Sequence, residues 1–230
     1  MSETLSRTTV TNHILAGLSA KEFDVLAPHL EAVDLPLRKM LERRQRKITN
    51  VYFPESGFAS VVANGSSGQA IEVGLIGREG MTGLAVVLGA DRAPRHETFM
   101  QCAGSGWCLT VAQLRAAIDQ SVTLHRVMLR YAHEFQTQTT ETALANGRSK
   151  IEERLARWLL MADDRVDGDE LSLTQEFLSL MLGTQRPGVT VAVKTLVRAG
   201  FISTKRSRIT IIDRDALEKH ANGTYSGPPR

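Results

Sequence analysis

Apolar residues recur at helical spacing in the stretch Leu173–Val197. In its first half, four apolar residues follow one another at i, i+4, i+7 and i+8, the period of one helix face: Leu173, Phe177, Leu180 and Met181. Thr174 and the carboxylate of Glu176 suit the start of this helix, where free backbone N–H groups attract oxygen atoms and negative charge. Gly183 predicts a turn, because a residue without Cβ adopts positive φ at low cost. The pattern therefore predicts two short helices with a break at Gly183.

The second of these helices is predicted to begin at Gln185 or Arg186. Pro187 then falls in the first turn, where its missing N–H has no intrahelical partner to lose. Apolar residues are expected to face the first helix at four positions: Val189, Val193, Leu196 and Val197. This layout is that of a helix-turn-helix, whose second helix lies in the major groove of DNA with its first residues against base edges.

The charge of the segment favours the same interpretation. Between Thr184 and Ile212 there are six basic residues and no Asp or Glu: Arg186, Lys194, Arg198, Lys205, Arg206 and Arg208. Phosphate contacts dominate nucleic-acid affinity, so such a segment suits a DNA-binding surface. The alternative is a surface helical hairpin with a solvated basic face. The DNA-contacting residues predicted here are Thr174, Gln185, Arg186, Thr190, Lys194, Lys205, Arg206 and Arg208.

From about Val33 to Leu109 the period changes to short β-rich runs separated by Gly, Pro and Asn. Many short strands with closely spaced turns predict an all-β barrel, sandwich or roll. Asn64-Gly65 is the best hairpin signal in this region. A capping-box pattern from Ser19 to Glu22 predicts a short helix before the strands.

After Thr110 the pattern becomes helical. Apolar and small residues alternate at steps of four and three, a heptad spacing, at Leu124, Met128, Tyr131, Phe135, Gln138, Thr142 and Ala145. This seam predicts a long helix over residues 121–147 through which the chain forms a homodimer. The alternative is a helix packed on its own β domain.

A third region opens at Arg148 with a strongly apolar helix pattern. An acidic loop follows, which lacks the ligand spacing of a calcium-binding EF-hand and is interpreted as solvated. Two β-rich runs, residues 201–204 and 208–212, flank Lys205-Arg206-Ser207, which predicts a hairpin with a basic tip. The overall prediction is an α+β chain: an N-terminal β-roll of the cyclic-nucleotide-binding kind (1–120), a dimerisation helix (121–147) and a C-terminal winged helix-turn-helix (148–230).

Composition narrows the class of protein. The formal net charge is +3, so any nucleic-acid surface must be local. Two cysteines, Cys102 and Cys108, are too few for a disulfide framework and are interpreted as core residues. No signal-peptide core and no apolar run of membrane-spanning length is present, which predicts a cytoplasmic protein without a membrane partner. No P-loop, nucleophile elbow or zinc motif occurs, so neither an enzyme nor a metal site is predicted.

The order of β-roll, long helix and winged helix resembles the bacterial family of the cyclic-AMP receptor protein and the fumarate-nitrate reduction regulator (Crp/Fnr). The resemblance runs from about Leu15 to Leu217 and is most specific in three stretches: Val51–Gly57, Val73–Leu88 and Leu155–Phe201. It implies a homodimeric transcription regulator. It also implies that an effector in the β-roll changes the pair of long helices and re-aims the recognition helices.

Arg186 matches the base-contacting arginine at the start of the family's recognition helix, and Arg bidentate to guanine is the commonest specific base contact. Pro187 and Val191 stand where the cyclic-AMP-dependent members have a glutamate and a second arginine. Neither side chain can hydrogen-bond a base edge, so a different target sequence is expected.

The effector pocket implied by the resemblance comprises Gly80, Met81, Thr82, Gly83, Arg92 and Arg95. Met81 replaces the glutamate that holds the ribose in cyclic-AMP binders, and no hydroxyl residue follows Arg92 or Arg95. An unmatched buried polar group costs roughly 1–3 kcal/mol, so these departures argue against a cyclic nucleotide. The expected effector is another molecule, or none, and no cofactor is predicted with certainty.

The sequence therefore predicts a homodimeric, sequence-specific DNA-binding regulator that binds a pseudo-palindromic promoter site, with a degenerate sensor domain. The alternative is a ligand-controlled interaction module whose winged helix docks a protein partner. If the chain is an activator, RNA polymerase is a further expected partner.

Overall fold

Strands dominate the chain up to residue 110 and helices dominate after it. The computed structural model describes residues 7–65, 69–90, 92, 95–168, 170–206 and 208–227. The helices are α1 His13–Ala16, α2 Ala20–Leu26, α3 Leu84–Val87, α4 Val111–Gln120, α5 Val122–Arg148, α6 Ile151–Asp163, α7 Gln175–Met181, α8 Arg186–Arg198 and α9 Arg214–His220. The strands are β1 Glu31–Leu35, β2 Met40–Glu42, β3 Asn50–Pro54, β4 Phe58–Asn64, β5 Ala70–Ile76, β6 His96–Cys102, β7 Gly104–Thr110, β8 Glu170–Ser172, β9 Ile202–Lys205 and β10 Arg208–Ile211.

Within the described residues the strands form three sheets, with strand orders β1-β7-β3, β2-β6-β4-β5 and β8-β10-β9. The first is antiparallel, with Trp107 of β7 opposite both Ala32 of β1 and Phe53 of β3. The predicted α+β class is confirmed: a β-rich N-terminal region, a long helix and a C-terminal helix-turn-helix follow one another. The predicted capping box is present too, since Ser19 accepts from the Glu22 backbone N–H while the Glu22 carboxylate accepts from the Ser19 N–H.

Contacts divide the chain into two compact units. Unit 1 comprises the residues up to Val61 together with Ile76–Gln136, and unit 2 comprises Val62–Leu75 together with the residues from Thr137 onward. The boundaries fall within β4, β5 and α5. They differ from the three segments predicted from the sequence, because the long helix does not stand apart as a segment of its own.

The core of unit 1 contains the N-terminal half of α5. Leu124 and Met128 are fully buried and Tyr131 is 4% exposed, in one cluster with residues of α1, α2, β3 and α4. Phe135 is half-buried against the same cluster, with its ring centroid 6.4 Å from that of Tyr131.

In unit 2 the C-terminal half of α5 is held by polar contacts. The Gln138 amide donates to the Leu75 carbonyl and accepts from the Leu75 N–H, as a neighbouring strand would. Thr142 donates its hydroxyl hydrogen to the Gln138 carbonyl. On α6, the Trp158 indole N–H donates to the buried carboxylate of Glu72.

These contacts correct the predicted dimer seam. Five of the six predicted seam residues lie on the face that α5 turns toward its own chain: Leu124, Met128, Tyr131, Phe135 and Gln138. The sixth, Thr142, bonds to the Gln138 carbonyl within α5 itself. The heptad spacing correctly predicts a helix face, but that face packs within the chain, which is the alternative interpretation of the seam. The predicted bounds of the helix, 121–147, agree with the observed Val122–Arg148. No helix in the described ranges is long and apolar enough to cross a membrane.

Candidate nucleic-acid interface

The predicted helix-turn-helix consists of α7 and α8. Thr174 is the N-cap of α7, and its hydroxyl accepts from the backbone N–H of Phe177. Gly183 lies in the turn with φ of 54°, and a Cβ there would come within 2.6 Å of the Ile71 Cδ1. The positive φ favours glycine, and a Cβ there would also require the Ile71 side chain to shift. Gln185 is the N-cap of α8 and Pro187 lies in its first turn, as predicted.

One face of α8 is buried and fixes which side chains point outward. Val189, Ala192 and Leu196 are buried, and α8 packs on α6 and α7. Val197 was expected to share this face but is 39% exposed, and Val191 is 65% exposed. Gln185, Arg186 and Lys194 are exposed, as a base- and phosphate-contacting surface requires.

The predicted wing is the hairpin β9–β10. Lys205 pairs with Arg208 across it, and Arg206 at its tip adopts φ of 46°. The third strand of this sheet, β8, was not predicted from the sequence. It pairs with β10 and begins at the end of the region interpreted as an acidic loop. The polar-apolar-polar alternation Glu170-Leu171-Ser172 is typical of a strand, and in the structure Leu171 is the buried residue of the three. Three residues are too few to establish a period from sequence.

The helix-turn-helix and the wing share a cavity of about 220 Å³. Its lining includes Gln175 of α7, Val193 of α8 and all three basic wing residues: Lys205, Arg206 and Arg208. The structure therefore brings the predicted wing contacts beside the predicted recognition helix.

The carboxylates of Glu170 and Glu176 also lie beside predicted DNA contacts. Glu176 is 3.5 Å from Arg186, and Glu170 is 2.6 Å from Arg208. Both pairs are more than half exposed, so they are screened by solvent and hold the arginines weakly. Both glutamates precede the basic stretch of residues 184–212 in the chain, Glu170 in β8 and Glu176 in α7.

Thr190 makes local contacts in the free protein. Its hydroxyl donates to the Arg186 carbonyl at 3.0 Å and lies 3.4 Å from the Gln175 side-chain oxygen. The Thr190 hydroxyl therefore already has a hydrogen-bond acceptor in its own helix, whereas the side chains of Arg186 and Lys194 extend into solvent.

The turn Gly80–Gly83 in unit 1 is occupied by the chain itself. Met81 is fully buried in the core, and a Cβ on Gly80 would lie within 2.5 Å of the Tyr131 ring. Thr82 donates its N–H to the Tyr52 carbonyl, and its hydroxyl accepts from the Tyr52 N–H.

The last N–H of this turn also has an internal partner. Gly83 donates to the buried carboxylate of Glu42, which also accepts from Thr98 and lies 3.6 Å from His96. Arg92 and Arg95, the cations expected in the effector pocket, are exposed. Ala93, which follows Arg92, lies outside the described residues. The effector pocket stays a prediction.

Cys102 and Cys108 are free thiols, half-buried rather than core residues. Burial raises the pKa of both thiols, so neither is activated as a nucleophile.

Comparisons with known proteins agree with the helix-turn-helix. Residues 153–220 match the family model described as a Crp-like helix-turn-helix domain. No curated protein sequence matches the chain.

Solved structures of similar fold include three bacterial proteins. A transcriptional regulator of the Crp/Fnr family from Eubacterium rectale is 15% identical, with a TM-score of 0.72 over 91% of this chain and 98% of its own. FixK2 from Bradyrhizobium japonicum is 17% identical, with a TM-score of 0.71 over 83% and 96%. The c-di-GMP-responsive global regulator CLP from Xanthomonas campestris is 15% identical, with a TM-score of 0.68 over 84% and 99%. The chain thus has the fold of the Crp/Fnr regulators and carries a Crp-like helix-turn-helix.

Proposed function

We propose that this chain is a sequence-specific, DNA-binding transcription regulator that works as a homodimer. The observation that carries the proposal is the surface shared by α8 and the wing. Lys205, Arg206 and Arg208 of the hairpin line a cavity to which α8 contributes Val193, and the next residue of α8, Lys194, is exposed, as is Arg186 at the start of that helix. An exposed basic helix beside a basic hairpin suits a major groove flanked by phosphates.

In this proposal α8 enters the major groove with its first turn against the bases. Arg186 reads guanine through two parallel hydrogen bonds, after it leaves Glu176. Lys194 and the three wing cations contact phosphates. Gln185 and Thr190 are further candidates for base edges, and Thr174, the N-cap of α7, is a further candidate contact.

The dimer contact is proposed on the exposed face of α5. Val122 is 65% exposed and Leu129 is 38% exposed, seven residues apart on the face opposite the core residues. The same heptad step continues through Gln136 to Ala143, where the side chains are polar or small. A shift of the seam to this face keeps the predicted self-association while leaving Leu124 and Met128 in the core.

Selection of bound duplexes from a random DNA pool, with purified protein and no added ligand, tests the function. We expect a pseudo-palindromic consensus whose half-sites are centred about 34 Å apart, or a multiple of that. An enriched palindrome would also show which bases are preferred where Pro187 and Val191 cannot hydrogen-bond a base edge. Failure to enrich any sequence, both alone and with cell extract as a source of effector, would contradict the proposal.

The alternative is a winged helix that docks a protein. Titration of duplex binding with salt separates the two, because each phosphate contact releases counterions and steepens the salt dependence. The four phosphate contacts proposed for each half-site would give a steep slope. A flat slope would favour the protein-docking function.

Leu129→Arg tests the dimer face. The added charge at the centre of the proposed contact should shift the protein to monomers in sedimentation velocity. Leu37→Arg is the matched control, since Leu37 is 51% exposed in the turn between β1 and β2. A dimer that persists in Leu129→Arg would exclude this face. Contact with RNA polymerase stays a prediction.

A further inference from the structure

Val191 is the most exposed valine of α8. It is 65% exposed, against 39% for Val197, while Val189 is fully buried. Successive residues of a helix are about 100° apart, so Val191 lies on the side of α8 opposite Val189 and Val193, each two residues away. Val193 lines the cavity beside the wing. Val191 therefore faces outward, away from the buried face on which α8 packs.

The side chains around Val191 on this outward face are short. Pro187 precedes Val191 by four residues, which makes the two neighbours on the helix surface, and it is exposed as well. Thr190 is half-buried, and its hydroxyl already donates to the Arg186 carbonyl. Short side chains let the axis of α8 come close to a base edge, while the long, exposed side chains of Arg186 and Lys194 flank the patch.

A valine on a base-reading helix can recognise only an apolar group. In the major groove, guanine, adenine and cytosine present hydrogen-bond donors and acceptors, whereas thymine also presents its C5-methyl group. A valine against one of the other bases would cover polar groups without replacing their hydrogen bonds to water, which is unfavourable. Contact with the thymine methyl group instead removes apolar surface of both partners from water. Thymine is therefore the base that Val191 favours.

The spacing along α8 determines where this thymine should lie. Val191 follows Arg186 by five residues, which corresponds to about 7.5 Å along the helix axis at a rise of about 1.5 Å per residue. Successive base pairs are about 3.4 Å apart. With Arg186 on a guanine, as proposed, Val191 lies over a base pair about two steps away.

We infer that Val191 reads the methyl group of a thymine in each half-site, within about two base pairs of the guanine read by Arg186. The inference rests on the proposed DNA-binding function and deepens it. It assigns a base to an exposed residue whose side chain can neither donate nor accept a hydrogen bond.

Deoxyuridine tests this contact, because it lacks only the C5-methyl group of thymine and keeps the same base pairing. Selection of duplexes by the parent should enrich a T·A pair at this position. Replacement of that thymine by deoxyuridine should weaken binding by the parent about fourfold per half-site, the effect of one buried methyl group. Val191→Ser, which removes both methyl groups of the side chain, should bind the thymine and deoxyuridine duplexes equally.

Val197→Ser is the matched control, because it makes the same substitution about 9 Å farther along α8, away from the helix start that reads bases. It should keep the fourfold preference for thymine. Deoxyuridine at a thymine outside the half-sites should leave binding by all three proteins unchanged. Because Val191 is exposed, Val191→Ser should melt at the temperature of the parent, which separates a lost contact from a damaged fold.

Three results would overturn the inference: a selected palindrome without thymine near the guanine, equal binding of the thymine and deoxyuridine duplexes by the parent, or the same fourfold loss in Val191→Ser. The last result would assign the methyl contact to another residue, such as Thr190. Each of the three requires a selected palindrome. Failure of the DNA-binding proposal, in which no duplex is enriched, is therefore a separate and distinguishable result.

Discussion

The turn Gly80–Gly83 and the start of α8 both lie in stretches where the sequence resembles a ligand-contacting segment, yet their surroundings are opposite. The turn is covered by Tyr131, and its N–H groups at Thr82 and Gly83 are bonded within the chain. At the start of α8, the Arg186 side chain is 66% exposed, and its ion-pair partner Glu176 is exposed to solvent as well. A motif therefore locates a backbone conformation, whereas the packing of distant residues decides whether that backbone can reach a ligand.

The two faces of α5 show the same contrast within one helix. Its apolar heptad positions are buried in the chain, while its exposed face carries Arg126, Arg130 and a few separated apolar residues. An apolar seam alone could not distinguish a core face from a dimer face, because both bury the same side chains. The exposed face is therefore defined by the residues that remain once the core face is assigned.

The largest expected effect comes from truncating a side chain on the buried face of α5. Leu124→Ala should lower the free energy of unfolding by about 2–5 kcal/mol, because a fully buried leucine leaves a cavity in the core of its own unit. The loss should be the same at low and high protein concentration in urea unfolding. Leu37→Ala is the matched control, because Leu37 is 51% exposed and lies away from α5, and it should change the unfolding free energy by less than about 0.5 kcal/mol. If Leu124→Ala shifted only the monomer–dimer equilibrium, the dimer seam predicted from the heptad spacing would be the correct one.

Two glycine substitutions test how closely the Tyr131 ring packs on the turn Gly80–Gly83. Gly80→Ala should destabilise the protein by about 1–3 kcal/mol, since the new Cβ would overlap the buried Tyr131 ring. Gly147→Ala is the control, because a Cβ added there, near the end of α5, would meet nothing within 4 Å. It should be neutral or stabilise by up to about 1 kcal/mol. Equal melting temperatures for the two variants would show that the turn is open enough to admit a ligand.

At the exposed start of α8, Arg186→Ala should weaken binding to the selected duplex by about 1–3 kcal/mol, mostly at one base pair per half-site. Thermal stability should not change, because the side chain lies largely in solvent. Lys194→Ala is the control for a phosphate contact: it should weaken binding to every sequence alike and reduce the salt slope by about one. If Arg186→Ala also weakened all sequences equally, Arg186 would be a phosphate contact rather than a base reader.

Local patterns were enough to predict α2 with its capping box, α5, the break at Gly183 and the wing hairpin. Each depends on neighbours within about four residues, where periodicity and caps act. What the sequence could not provide depends on residues far apart in the chain. Gln138 bonds to Leu75, which lies 63 residues away, and Glu170 reaches Arg208 over 38 residues.

Glu176 is the missed residue with the most direct consequence for the site. The sequence predicts it as a helix-start residue of α7, which it is, but in the structure its carboxylate also reaches Arg186 across the turn. A glutamate in this position opposes the phosphates of DNA and also holds the arginine that is proposed to read a base. These two roles predict different effects of removing its charge.

Glu176→Gln should produce the smallest effect of the series. An exposed ion pair contributes about 0–1 kcal/mol, so stability should stay within that range. Removal of the negative charge should strengthen duplex binding at low salt by up to about fivefold. Asp24→Asn removes the same charge from an exposed position on α2 and should leave duplex binding unchanged.

Discrimination at the base pair read by Arg186 separates the two roles of Glu176. If the glutamate only repels DNA, Glu176→Gln should bind matched and mismatched duplexes more tightly by the same factor, because the repulsion acts on phosphates in every sequence. If it also orients the guanidinium, the variant should bind mismatched duplexes with the larger gain, and discrimination should fall. The exposure of both side chains and their separation of 3.5 Å favour the first result, since a long, solvent-screened ion pair restricts the arginine little.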